Sequence, residues 1–146
     1  MRNANRVLAR LTAILSLVAA MILVPVWPAS AVLHYEDNER ITFVRNGVTY
    51  HCGATAYIEY GTRITGWIDS ACDRPASQHI YGEVMRDNFA ESVSIDKLCY
   101  YSVYNCYGPY GSLANRSGTN TYCTTGWVDY FDKWYWEVVL QVCLRV

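Results

Sequence analysis

Six cysteines constrain the fold of this chain more than any other feature of its sequence. Nineteen residues separate Cys52 from Cys72, and nineteen again separate Cys123 from Cys143. Each pair encloses two strand-like runs with a short polar turn midway, which is the pattern of a β-hairpin. We therefore predict two hairpins, each closed at its open end by a cross-strand disulfide.

The midpoints place the two turns near Gly61-Thr62 and at Asp132-Lys133. The remaining cysteines, Cys99 and Cys106, are seven positions apart and are predicted to close a short loop. Six cysteines allow fifteen connectivities, and bridges between more distant strands, as in immunoglobulin domains, are the main alternative. One bridge of this span contributes about 3 kcal/mol, so three of them matter against a typical stability of about 5–15 kcal/mol.

The N-terminal segment, residues 1–31, has the three parts of a secretory signal peptide. The positive start contains Arg2, Arg6 and Arg10, and the apolar run covers the fourteen positions 11–24. The small-residue cleavage pattern is Ala29-Ser30-Ala31. A membrane-spanning helix needs about 20 apolar residues, and proline ends this run earlier. We predict an extracellular, secreted protein in which residues 32–146 form one domain, with no stable membrane insertion after cleavage of the signal.

The charge of the mature chain excludes two classes of partner. Three of the twelve basic residues precede position 32, whereas all thirteen acidic residues follow it, which leaves nine positive and thirteen negative side chains. Binding to nucleic acid depends on neutralising phosphates with Lys and Arg. We expect no nucleic-acid partner and no affinity for an anionic membrane surface.

Alternating apolar and polar residues predict an all-β protein. Asn46-Gly47 is the strongest short hairpin signal, because a type I′ turn needs positive φ at both central residues. This turn sets Phe43 opposite Tyr50. About seven strand-sized runs without a helical pattern predict an antiparallel, immunoglobulin-like sandwich of two sheets, stabilised by disulfides.

Three segments carry more detailed expectations. Positions 32–39 are interpreted as a loose lead-in, and positions 73–77 as a loop, since proline disfavours the interior of a sheet. In the last strand, Trp134, Trp136, Val138, Leu140 and Val142 share one parity and are expected to face the core. Cys143 has the opposite parity and is expected on the polar face unless a bulge shifts the register.

A tyrosine-rich segment is the first candidate binding surface. Tyrosine offers a stiff contact area with a polar tip, and binding loops combine it with Ser, Gly and Asn. Trp67 is expected to be exposed, because it shares a strand face with Thr65 and Asp69. Alternatively, about half of these aromatic residues pack within the sheet, since tyrosine favours strands. The predicted binding residues are Tyr100, Tyr101, Tyr104, Tyr107, Tyr110 and Trp67.

The sequence supplies no signature of catalysis. His34, His51 and His79 stand apart from one another and from any metal or nucleophile motif. Asp129 and Glu137 imitate the carboxylate pair of a glycosidase, but like charges across one hairpin normally lie at its solvated side. We expect no enzyme activity, no metal ion and no cofactor.

The order of these elements resembles that of small exported six-cysteine proteins of actinomycete-type bacteria. The matching positions, which span most of residues 48–143, are Cys52, Cys72, Cys99-Tyr100, Cys106 and Ser117-Gly118. Most proteins of this kind have no assigned function. The resemblance also implies one possible role, that of an adaptor subunit joining a lectin to a repeat-bearing stalk in secreted, umbrella-shaped toxin particles.

These observations together predict a non-catalytic binding module or adaptor. Its partner would be a protein or a cell-surface glycan, bound through the Tyr- and Trp-rich surface. The alternative is a secreted antagonist, either a toxin component or an enzyme inhibitor, that presents the rigid loop between Cys99 and Cys106.

Overall fold

The computed structural model describes residues 33–146. Within this range it gives no description of the side chains of Leu33, His34, Tyr101, Ser102, Lys133, Trp134 and Tyr135. The predicted signal peptide, residues 1–31, lies outside the described residues and stays a prediction. The predicted contribution of the Tyr101 side chain to a binding surface likewise lies outside them.

Antiparallel strands account for most of the described chain. They are β1 (Leu33–Arg45), β2 (Val48–Tyr60), β3 (Arg63–Arg86), β4 (Glu91–Tyr107), β5 (Gly111–Ala114), β6 (Thr121–Tyr130) and β7 (Lys133–Arg145). Residues 33–146 contain no helix, and accordingly none there that is long and apolar enough to cross a membrane. The prediction of an all-β protein is confirmed.

Strand β3 is the centre of a single sheet. On one edge it pairs with β2 along its first half and with β6 along its second half, and on the other edge it pairs with β4 and β5. β1 extends the sheet beyond β2, and β7 extends it beyond β6.

The sheet bends back on itself, so that β1 and β2 contact β7 and β2 also contacts β6. It therefore nearly closes like a barrel, with eight strands when the two halves of β3 are counted separately. The Asp37 side chain of β1 bridges the gap between β1 and β7, because its Oδ2 accepts a hydrogen bond from the backbone N–H of Gln141 at 2.9 Å. The predicted all-β character is confirmed. The structure differs from the predicted immunoglobulin-like sandwich because one bent sheet, not two separate sheets, forms both layers.

The predicted disulfides are all present. Cys52–Cys72, Cys99–Cys106 and Cys123–Cys143 are bonded, and the first and third join residues that lie directly opposite in their ladders. The Asn46-Gly47 turn has φ values of 52° and 76°, as a type I′ turn requires. Phe43 pairs with Tyr50, which confirms the predicted register.

Three local predictions are wrong. The segment 33–39 is paired with β2 along its whole length, so it is a strand rather than a loose lead-in. Positions 73–77 belong to β3, which tolerates Pro75 because the register with β4 shifts there. The last turn lies one residue earlier than predicted, at Phe131-Asp132, where both residues have positive φ.

The two hairpin disulfides lie on opposite faces of the sheet. Cys52 and Cys72 are buried in the core, whereas Cys143 is exposed. The last hairpin does contain a register shift, between Asp129 and Tyr130. Because this shift lies at the turn end, it leaves the parity of Cys143 unchanged and the disulfide on the outer face.

The two layers of the bent sheet approach closely at a pair of glycines. Gly82 and Gly126 lie opposite each other in the β3–β6 ladder. A Cβ atom added at Gly126 would lie 2.7 Å from Ile68 Cδ1, a side chain of the facing layer. Ile68 is fully buried and fills the space that a side chain at either glycine would need.

An aromatic cluster joins the tips of the first and last hairpins. Phe43 of β1 stacks on Tyr50 with ring centroids 5.3 Å apart and on Trp136 of β7 at 4.6 Å. Phe131 meets Tyr50 edge-on, and the Arg45 guanidinium lies 3.8 Å from the Phe131 centroid. Offset and edge-on contacts of this kind contribute about 0.5–1.5 kcal/mol per pair beyond burial.

Candidate functional site

A groove of about 790 Å³ crosses the outer face of β1, β2 and the first half of β3. Its floor is low because the two residues that pair at its centre, Gly53 and Ala71, are the smallest available. A Cβ atom at Gly53 would lie 3.3 Å from Arg40 Cγ, so the Arg40 stem occupies the space above this glycine. Alternation along the strands turns five further lining residues outward, namely Asn38, Thr55, Asp69, Asn105 and Tyr107.

Aromatic rings lie at the end of the groove nearest β5, where Tyr57 and Tyr107 line it and Trp67 and Tyr110 extend the aromatic surface beyond it. Tyr57 and Trp67 lie opposite each other in the β2–β3 ladder, and their rings stack 4.7 Å apart with 12° between the planes. Tyr110 packs against Trp67 at 5.0 Å. We call Tyr57, Trp67, Tyr107 and Tyr110 the aromatic wall.

The backbone explains why Tyr107 and Tyr110 reach this wall. Tyr107 pairs with Asp69, and the next residue, Gly108, donates a hydrogen bond to the Ile68 carbonyl at 2.9 Å. This bond holds the chain against β3 until β5 begins at Gly111. Tyr107 and Tyr110 therefore remain beside β3 while their side chains are 68% and 71% exposed.

The polar residues of the groove are fixed by hydrogen bonds. Thr55 Oγ1 donates to Asn38 Oδ1 at 2.5 Å. The Trp67 indole donates to Asp69 Oδ2 at 3.2 Å, and the His51 amide donates to Asp73 Oδ1 at 2.9 Å. Burial raises the pKa of Asp69 above its ordinary value, and the bonds from Trp67 and the Gly108 backbone oppose that rise.

These groups offer both donors and acceptors to a ligand. Guanidinium groups only donate, ionised carboxylates only accept, and carboxamides do both. The groove contains one or more of each, in Arg40, Asp69, Asp73, Asn38 and Asn105. Such a set can bind hydroxyl groups in either role while the aromatic wall contacts apolar C–H surface.

The structure brings together only part of the predicted binding set. Trp67, Tyr107 and Tyr110 lie at the aromatic wall, but Trp67 is half-buried against its neighbours and Tyr107 and Tyr110 supply the exposed rings. Tyr100 and Tyr104 are exposed between Cys99 and Cys106, in a disulfide-closed segment that belongs to strand β4 and is not the predicted loop, because it stays paired with β3 through a register shift. No ring contact among the described residues joins Tyr104 to the aromatic wall.

Sequence reasoning did not single out Asn38, Arg40, Gly53, Ala71 or Asn105 as binding residues. Each is an isolated polar or small residue on its own strand, and only the cross-strand register makes them neighbours. A usable signal was present in β2 and β3, because Gly53 and Ala71 have the same outward parity as Trp67. Two minimal side chains at outward positions of paired strands indicate a depression.

Metal binding has no support within residues 33–146, where no group of three or more His, Cys, Asp or Glu side chains has a suitable arrangement.

In comparisons with known proteins, no family model matches the chain, and no curated protein or solved structure shows significant similarity to it. The class of the protein therefore rests on its structure alone: it is a disulfide-stabilised all-β protein with a polar groove beside an aromatic wall.

Proposed function

We propose that this protein is a secreted, non-catalytic binding module whose groove binds an extracellular glycan. The observation that carries the proposal is the adjacency of two exposed tyrosine rings and a row of outward donors and acceptors on one rigid face. A pyranose ring has an apolar C–H face and a rim of hydroxyl groups, so it needs both kinds of surface at once. Binding sites commonly combine apolar and aromatic walls with a few placed polar groups.

The rigidity of this face supports the proposal. The buried Cys52–Cys72 disulfide links the two strands that form the groove floor. Preorganised surfaces lose less conformational entropy on binding than mobile ones, and tyrosine itself loses little. We also propose that the barrel-like sheet is flattened into a sandwich and that its outer faces are the binding surfaces.

Secretion belongs to the same proposal. Three disulfides are typical of proteins in oxidising extracellular compartments, and all six cysteines of the chain are used in them. A cell-surface or extracellular polysaccharide is the ligand class that such a location makes available.

The test is titration of the purified protein with soluble tetra- to hexasaccharides, both neutral β-glucan and chitin fragments and anionic hyaluronan fragments. Binding is followed by tryptophan fluorescence, since Trp67 contacts Tyr110 directly. Tyr107→Ala/Tyr110→Ala should weaken binding at least about tenfold, the equivalent of losing aromatic contacts of about 1.4 kcal/mol. Ala71→Leu, which fills the groove from an exposed position, should weaken binding as well.

The matched control is Tyr104→Ala, which removes an exposed tyrosine outside the groove. It should bind like the wild type. Equal losses in the control and in the groove variants, or an absence of binding to every oligosaccharide class, would contradict the proposal.

A second candidate function is that of a secreted antagonist. The segment of β4 between Cys99 and Cys106 is closed by a disulfide and exposes Tyr100 and Tyr104, as the rigid contact segment of an inhibitor would. Purified protein would then inhibit a panel of secreted proteases or the growth of competing bacteria, and Tyr100→Ala/Tyr104→Ala would abolish that effect. If inhibition survives this double substitution, the segment between Cys99 and Cys106 is not the inhibitory surface.

A further inference from the structure

A second outer face lies on β4, the second half of β3, β6 and β7, away from the groove residues in sequence and pairing. The ladders place three outward rows side by side on these strands. The rows are Leu98–His79–Asp129–Glu137, Asp96–Tyr81–Trp127–Val139 and Ser94–Glu83–Thr125–Gln141. They contain four carboxylates and neither Lys nor Arg, and the one histidine, His79, is paired with Asp96, since His79 Nε2 lies 3.0 Å from Asp96 Oδ1.

Two perpendicular rings stand at the centre of this face. Tyr81 and Trp127 are opposite each other in the β3–β6 ladder, with ring centroids 4.7 Å apart and 82° between the planes. Trp127 is 41% exposed. A depression of about 270 Å³ lies beside the two rings and is also lined by Glu83 and Asp96. We call Tyr81, Trp127, Glu83 and Asp96 the acidic corner.

A further pair of carboxylates borders the acidic corner. Asp129 is only 9% exposed, and the Tyr81 hydroxyl donates a hydrogen bond to its Oδ2. Its Oδ1 is buried and has no hydrogen-bond donor within the described part of the chain. Glu137 lies directly opposite Asp129, and its pKa is raised first by burial, then by a hydrogen bond to Asp129 and by the negative charge of Asp129. Among the described side chains, no salt bridge pairs Asp129 or Glu137 with Lys or Arg.

An unpaired buried acceptor is costly, because desolvation removes its bonds to water. Aromatic faces and carboxylates share one preferred ligand class. Cations are attracted by the faces of Trp and Tyr, and guanidinium groups form strong charge-assisted bonds with carboxylates. A neutral sugar would supply no positive charge to Glu83, Asp129 and Glu137, which have no salt bridge to Lys or Arg among the described side chains.

We propose that the acidic corner binds a basic segment of a protein partner, with one arginine or lysine side chain against Tyr81 and Trp127. The cation lies in the depression between the rings and the carboxylates of Glu83 and Asp96. A second basic side chain of the same segment reaches the Glu137 carboxylate beside the acidic corner. This site is separate from the glycan groove, and it gives the molecule two binding faces of different chemistry.

The test uses fluorescein-labelled hexa-arginine and measures its dissociation constant by anisotropy at low and at physiological ionic strength. Trp127→Ala should weaken binding about tenfold, and Trp127→Phe, which keeps an aromatic face, should weaken it less. Glu83→Gln/Asp96→Asn should weaken binding by a similar factor or more. The oligosaccharide titration of the groove should not change in any of these variants.

The matched control is Glu36→Gln/Glu39→Gln on exposed positions of β1, which removes the same number of negative charges elsewhere. It should retain most of the affinity for hexa-arginine. If it loses as much affinity as Glu83→Gln/Asp96→Asn, only net charge matters and the acidic corner is not a site. Undetectable binding of hexa-arginine at low ionic strength, or full affinity in Trp127→Ala, would overturn the proposal as well.

Discussion

The hydroxyl of Tyr130 lies 3.0 Å from Ser70 Oγ beneath the floor of the groove. Ser70 in turn donates its proton to the Gly53 carbonyl at 3.2 Å. A hydroxyl has a single proton to donate, so the Tyr130 hydroxyl donates to Ser70. This chain of bonds joins β6, β3 and β2 through the core and ties the groove floor to the facing layer of the sheet.

Removing either end of the Tyr130–Ser70 bond should destabilise the fold. Ser70→Ala leaves the fully buried Tyr130 hydroxyl without this partner and should cost about 1–3 kcal/mol. Tyr130→Phe should cost about 1 kcal/mol. In urea denaturation, the double variant should lose less than the sum of the two single losses, because they share one interaction. Strict additivity would show that the bond contributes nothing.

Gly126→Ala should test the close approach of the two layers. The added Cβ would lie 2.7 Å from both Gly82 Cα and Ile68 Cδ1. Such overpacking costs about 1–3 kcal/mol of unfolding free energy, measurable as a lower midpoint of denaturation. Gly61→Ala is the matched control, because its Cβ would meet nothing closer than 3.6 Å. Equal midpoints for the two variants would contradict the described packing.

The disulfides should be reduced in a fixed order. Thiol–disulfide exchange depends on access of the attacking thiolate to a sulfur atom. Cys143 is exposed, whereas Cys52 and Cys72 are buried, so dithiothreitol should open Cys123–Cys143 before Cys52–Cys72. Timed alkylation followed by peptide mass spectrometry would follow both bonds in one sample. Earlier labelling of Cys52 would refute the inside and outside assignment of the two bridges.

Glu137 should make stability depend on pH between weakly acidic and neutral conditions. The pKa of Glu137 is raised above 4.5 in the folded chain, first by burial and then by Asp129. A carboxyl with a raised folded-state pKa stabilises the protein below its unfolded pKa, and this contribution is lost as pH rises through the folded pKa. Glu137→Gln should therefore raise the melting temperature relative to wild type more at pH 7 than at pH 4.

Thermal melts of Glu137→Gln and of Glu39→Gln, an exposed glutamate on β1, separate this effect from a change of net charge. The control should shift little between the two pH values. A Glu137→Gln difference that is the same at pH 4 and pH 7 would count against a perturbed carboxyl.

The sequence was most informative where pairing is local. The Asn46-Gly47 turn and the equal spacing of Cys52 to Cys72 determine register directly, because partners in a hairpin lie at equal distances from its turn. The path of β3 could not be predicted in this way. Proline at position 75 indicated a loop, but a register shift lets the strand continue and pair with four others.

The binding surfaces show the same division. Tyr107 and Tyr110 could be predicted because they cluster along the chain. Arg40 and Asn105 could not, since they meet only through pairings of β1 with β2 and of β3 with β4. Asp129 and Glu137 were expected at the solvated side of their hairpin, whereas Asp129 is almost fully buried and bonded to Tyr81 of β3, a contact that the local hairpin pattern does not reveal.

Strand β3 carries residues of both proposed surfaces, with Asp69 and Ala71 at the groove and Tyr81 and Glu83 at the acidic corner. No hinge or linker separates them within β3. Because antiparallel ladder bonds run perpendicular to their strands, tension between two bound molecules would load the flanking ladders in shear. The two bound molecules would then be linked through the continuous backbone of β3, which would carry the pulling force between them.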